Sequence, residues 1–139
     1  MSSMETFSEL VALAREARDK AYAPYSGFAV GAALRAKSGR IYSGCNVENA
    51  SYSLTICAER VAIFSAVCEG EREFEAVAVV AETLAHPCGA CRQVLAEFGL
   101  DTRVIVADLG EKRRVYAVRD LLPAAFTPNA LRSRPSEDP

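Results

Sequence analysis

Two short clusters constrain this chain more than anything else in it: Cys57-Ala58-Glu59-Arg60 and, later, Pro87-Cys88-Gly89-Ala90-Cys91-Arg92. Three thiols can hold one zinc ion, so a fold that uses them has to bring Cys57 to Cys88 and Cys91. Three protein ligands leave the fourth tetrahedral position to water, which marks a catalytic zinc rather than a structural one. Glu59 is not needed as a ligand and is the natural proton carrier for that water. The alternatives are a closed structural site or plain buried cysteines. A closed site needs a fourth ligand, and His86, Cys45 and Cys68 are poor candidates. His86 sits just before Pro87, cannot easily turn back to the same ion, and reads as a loop residue. Cys45 and Cys68 read as small core residues.

Zinc takes cysteine as thiolate, so each ligand must shed its proton. Both clusters read as helix starts. An apolar run of Val61, Phe64, Ser65 and Cys68 follows the first at helical spacing; Val94, Leu95 and Phe98 follow the second, with Gly99 as a stop. Two helix N-termini aimed at one ion would stabilise thiolates through their partial positive charge. Cys88 and Cys91 are i and i+3 and share a helix face. Three thiolates and one Zn²⁺ sum to a negative centre, which is a poor acidifier of water. Arg60, i+3 from Cys57, and Arg92, i+4 from Cys88, are each spaced to reach back to a thiolate and withdraw charge. The plainer alternative is a pair of surface arginines.

The length of 139 residues suits one domain, 1–139, with one adequate core. A formal net charge of −2 gives none of the basic footprint that nucleic-acid binding needs. No apolar run approaches the roughly 20 residues of a membrane helix. Met1–Glu9 has neither the basic region nor the apolar core of a signal peptide. Five cysteines are odd in number and three are assigned to metal, which favours a reducing, cytoplasmic setting over a disulfide framework.

Along the chain, Thr6-Phe7-Ser8-Glu9 reads as a capping box for a helix with Leu10, Leu13, Ala14, Ala17 and Ala21 on one stripe, ending before Pro24. Strands are expected over Phe28–Ala36 and Arg40–Val47, joined by a Lys37-Ser38-Gly39 turn. A helix over Ala58–Glu69, a strand over Glu75–Ala81, a helix over Cys88–Phe98 and strands over Arg103–Ala107 and Arg114–Val118 follow. A short helical end begins near Asp120, with Pro123 and Pro128 breaking it, and Ser133–Pro139 reads as a disordered tail. The order α-β-β-α-β-α-β-β is that of a mixed sheet of about five strands in a three-layer α/β/α sandwich. The zinc-bearing helix starts would meet at one end of that sheet. Asn46 and Glu48, i and i+2 after the second strand, face the same way if the chain stays extended, and could hold sugar hydroxyls. A polar loop is the common alternative.

These clusters match the known signature of zinc nucleobase deaminases, in its three-Cys form. From about Leu10 to Phe126 the chain resembles the small homotetrameric cytidine deaminases. The matches are Ala21-Tyr22-Ala23-Pro24-Tyr25-Ser26 with Phe28 and Val30-Gly31-Ala32-Ala33, Gly44-Cys45-Asn46-Val47-Glu48-Asn49-Ala50, the two zinc clusters through Gln93, and Leu121-Leu122-Pro123 with Phe126. The resemblance implies one zinc per chain and hydrolytic removal of ammonia from cytidine and 2′-deoxycytidine. It implies that Glu59 shuttles protons to N3 and to the leaving amine, and that Asn46 and Glu48 hold the ribose 3′-hydroxyl. By the same resemblance the Ala58 N–H meets the C2 carbonyl, Phe28 packs beside the nucleoside, Arg60 bonds to ligand thiolates, and Tyr52 and Phe126 reach the site from neighbouring subunits. The nearest competing enzyme is a deaminase of a nucleoside antibiotic such as blasticidin S, against which Glu48 argues. Polynucleotide editing lacks its basic groove here, and a non-catalytic zinc module would have no use for Glu59.

Overall fold

The computed structural model describes residues 3–132; the expected disordered tail lies outside the described residues. The elements are α1 (Ser3–Arg18), β1 (Gly31–Ala36), β2 (Ile41–Cys45), α2 (Ala58–Cys68), β3 (Phe74–Val80), α3 (Gly89–Glu97), β4 (Arg103–Ala107), β5 (Arg113–Ala117), α4 (Val118–Leu121) and α5 (Pro128–Arg132), with a 3₁₀ turn at Tyr52–Leu54. The strands form one sheet in the order β2-β1-β3-β4-β5. Within this sheet the β3–β4 pair is parallel, joined through α3, and the other pairs are antiparallel. Gly39 closes the β1–β2 hairpin at φ 94°, a conformation that favours glycine.

Alternation along the strands makes two cores. Ala32, Leu34, Val77, Val104 and Val106 face α2 and α3, with Ala62, Ile63, Ala66, Leu95 and Ala96. Ala33, Ala76, Ala78, Val80, Ile105 and Ala107 face α1, against Leu10, Val11 and Ala14. This is the expected sandwich. Because α2 and α3 lie on the same face, their N-termini can share one end of the sheet.

Local differences from the sequence reading have physical causes. Helix α1 starts at Ser3, three residues before the expected cap at Thr6, and Phe7 packs beside Leu10 and Val11 as the expected stripe requires. Strand β1 starts at Gly31 rather than Phe28, because the Asn46 amide, not a neighbouring strand, binds Phe28 and Val30. Pro128 opens α5 instead of breaking a helix, the position where its missing N–H costs nothing. The largest difference is the inner face of α2. It buries Ala58, Glu59, Ala62, Ile63 and Ala66, not the stripe of Val61, Phe64, Ser65 and Cys68. Phe64 stays 45% exposed and Cys68 is exposed, so Cys68 is not a core residue; Cys45 is half-buried.

The small inner face has a reason in β2. A Cβ built on Gly44 would stand 2.7 Å from the Ala62 nitrogen and 2.8 Å from the Ala58 oxygen. Backbone meets backbone there, with the Val61 Cβ also only 3.0 Å away, and only glycine fits. Gly44→Ala should therefore destabilise the fold by about 1–3 kcal/mol, the usual cost of overpacking, visible as a lower Tm. An unchanged Tm would show that α2 can move away freely.

Candidate active site

The N-caps of α2 and α3 are Cys57 and Cys88, both in extended conformation, and Cys91 follows on the first turn of α3. The three sulfurs lie within 4.8 Å of one another, with Cys57–Cys88 at 3.8 Å and Cys88–Cys91 at 3.5 Å. Cys91 is fully buried and Pro87 is among the most buried residues. Three soft donors at this spacing, at two helix N-termini, fit a zinc ion.

The electrostatics agree with that fit. The Cys57 thiol is held well below the usual thiol range, chiefly by Cys91 beside it and further by Arg60. Cys91 is driven upward by the same bond and by burial. Crowded sulfurs cannot all ionise by themselves; a cation among them removes that conflict.

The two arginines meet different fates. Arg60 Nη2 donates to Cys57 Sγ at 3.5 Å. Arg92 does not reach a thiolate. Its Nε donates to the Pro87 carbonyl at 2.7 Å and its Nη1 to the Leu121 carbonyl at 2.8 Å. The guanidinium is drawn to carbonyls left without a strand or helix partner, so it ties the turn before Cys88 to the end of α4 and supports the ligands only through backbone.

Glu59 is 5% exposed on the buried face of α2. Burial pushes its carboxyl up to about 7. It lines a cavity of about 250 Å³ together with Cys57, Ala58, Cys88, Phe28, Asn46, Glu48 and Tyr52. The cavity suits a small molecule, being below the ~300–1,000 Å³ of sites for drug-sized ligands. Larger hollows elsewhere lie away from the three clustered thiols, between α1 and β2 for example; size does not decide the choice when the reactive groups converge here.

Asn46 and Glu48 both face the cavity, as extended spacing requires. Their backbones pair with Tyr22 while Val47, between them, pairs with Ile56 on the other side. Each side chain also builds the site. Asn46 Nδ2 donates to the Phe28 carbonyl at 2.8 Å, and its Oδ1 accepts from Val30 N–H at 2.9 Å. Glu48 Oε1 accepts from the Tyr25 and Ser26 N–H groups, both at 3.0 Å, and Oε2 accepts from the Ser26 hydroxyl. The Ser26 hydroxyl leads in holding the Glu48 carboxyl below its usual range. Tyr52, implied to serve a neighbouring subunit, lines its own chain's cavity and is 58% exposed. Phe126 is outside that cavity and 59% exposed, its carbonyl accepting from Gln93.

Ser26 and His86 line the cavity although sequence reasoning assigned them no role. Ser26 ends the Ala21–Ser26 stretch that carries part of the resemblance, so a signal existed; His86 reads from sequence as a loop residue.

Residues 4–107 match the family of the cytidine and deoxycytidylate deaminase zinc-binding region. The chain is 51% identical over 126 residues to a cytidine deaminase of Sporosarcina psychrophila, covering 88% of this chain and 93% of that one. A blasticidin-S deaminase of Bacillus cereus is 31% identical, over 72% of this chain and 78% of its own. The crystal structure of a cytidine deaminase from Burkholderia pseudomallei superposes with a TM-score of 0.84 at 50% identity, covering 91% of this chain and all of that one.

One three-thiol cluster predicts one zinc per chain by elemental analysis of the purified protein; none, or two, would contradict it. Cys88→Ala should lose the metal and any activity together.

Proposed function

Because this chain belongs to the cytidine and deoxycytidylate deaminase zinc-binding family, we propose that it hydrolyses cytidine and 2′-deoxycytidine to uridine and 2′-deoxyuridine with release of ammonia. The observation that carries this is a single cavity lined by two of the three clustered thiols' residues, by buried Glu59 and by the Asn46–Glu48 pair. Zinc held by Cys57, Cys88 and Cys91 would supply Lewis acidity to water at the open position.

The chain's residues do the rest. Glu59 takes a proton from the attacking water, delivers one to N3, and helps protonate the amine as it leaves C4. Arg60, bonded to Cys57, withdraws charge from the donor cluster. The Ala58 N–H meets the C2 carbonyl and Phe28 packs beside the nucleoside. Asn46 and Glu48 hold the ribose 3′-hydroxyl. Glu48 makes three bonds to Tyr25 and Ser26, and a carboxylate offers about four acceptor sites, so one is left for that hydroxyl. A ribose-binding carboxylate supports an ordinary nucleoside over an antibiotic substrate.

The finer reading is a cytoplasmic homotetramer acting in pyrimidine salvage, with Phe126 closing a neighbour's cavity. Exposed Tyr22, Tyr25, Leu54, Phe64 and Phe126 support an assembly that covers them. A reducing compartment keeps the thiols available to metal. No helix among the described residues is long and apolar enough to cross a membrane.

The direct test is the ultraviolet absorbance change of cytidine on mixing with the protein, which a zinc chelator should abolish. Glu59→Ala should keep zinc and fold and lose about 10²–10⁴-fold in turnover; loss of zinc instead would make Glu59 a ligand. Phe126→Ala should raise KM for cytidine more than it lowers Tm. Light scattering that finds a fully active monomer would defeat the shared-site reading.

A further inference from the structure

The segment between β3 and α3 is the shortest route from the sheet to the ligand Cys88, and it is pinned rather than loose. Leu84 packs against the core, Pro87 is buried, and the Pro87 carbonyl accepts from Arg92. Between them stands His86, on the surface yet held at two points by Tyr116 of β5. His86 Nε2 and the Tyr116 hydroxyl are hydrogen-bonded at 2.8 Å, and the two rings lie 5.4 Å apart at 60°. Tyr116 itself packs against the core. An exposed imidazole fixed by a core-anchored tyrosine loses the rotamer freedom that a loop histidine would keep. That fixed residue lines the same cavity as Glu59 and Cys88.

Resting on the deaminase reading above, we propose that His86 is a specificity-determining residue of this cavity and that Tyr116 is the positioning residue that sets it. Hydrolysis at C4 puts that carbon against the thiol cluster. Its ring neighbours are N3 and C5, and it carries the exocyclic amine. N3 must turn to Glu59 on the α2 side, since that is where its proton comes from. C5 and the amine are then left for the other side, where the wall is the 85–88 segment with His86 in it. The ring limits what can project from that edge of the base. Unsubstituted cytosine nucleosides fit; those carrying an alkyl group on C5 or on the exocyclic nitrogen meet the imidazole.

The test measures kcat and KM for cytidine, 5-methylcytidine and N4-methylcytidine with the zinc-loaded wild type, His86→Ala and Tyr116→Phe, alongside zinc content and Tm. His86→Ala should raise kcat/KM for the methylated substrates relative to cytidine by about 10-fold or more, the scale at which a pocket discriminates one methyl-sized group. Tyr116→Phe removes only the hydroxyl, keeps the packed ring, and should shift the same ratio in the same direction by a smaller factor. A merely structural role would change Tm without moving the ratio. Wild-type ratios in both variants would overturn the assignment. A zinc-loaded wild type inert toward all cytosine nucleosides would instead overturn the deaminase reading on which it rests.

Discussion

The site depends on how closely α2 approaches the sheet. Gly44 of β2 faces the backbone of Ala58 and Ala62, leaving no room for a Cβ. That contact sets the height of the first turn of α2, which carries Ala58 and Glu59 and is capped by Cys57. The same face of the sheet receives α3 through the parallel β3–α3–β4 connection, whose hand and length are narrowly constrained. Two helix starts are thereby fixed against one rigid sheet. The thiols converge because the backbones below them cannot separate, and protein interiors transmit such displacements rather than absorb them.

The close approach also accounts for the apolar residues left outside. With alanines turned inward, the bulkier side of α2 faces away from the sheet, Phe64 among it. A helix normally hides its larger apolar groups in its own core. Here the inner face is chosen for distance, and Phe64 is left 45% exposed on the outer one. Exposed aromatics near the cavity, Tyr25 and Tyr52, extend the same imbalance to the site's rim.

Much of this was legible in the sequence, and the limits have physical reasons. Short thiol clusters are read easily because metal chemistry allows few alternatives, and buried strands such as Arg103–Ala107 announce themselves by an apolar run. The inner face of α2 was misread because helical spacing alone allows two stripes, Val61-Phe64-Ser65-Cys68 and Ala58-Ala62-Ile63-Ala66, and the close approach of Gly44 brings the second one inward. Cys68 lies on the first stripe and is exposed. Asn46 and Glu48 could be placed on one side of an extended segment, but their bonds to residues 25–30 depend on a loop whose course the sequence does not state.

Arg60 and Arg92 show where spacing stops being informative. Both lie within one turn of a ligand, yet only Arg60 meets a sulfur. A guanidinium carries five donors in a fixed fork and goes where several acceptors match it. Beside Arg92 stand two carbonyls, of Pro87 and Leu121, at breaks in regular structure where no backbone N–H is at hand. Beside Arg60 stands the polarised sulfur of Cys57. The chain thus uses one arginine for the charge of the donor cluster and the other for the position of its second half. The two tasks are separable because an N-cap ligand is oriented by the backbone that precedes it as much as by the helix that follows.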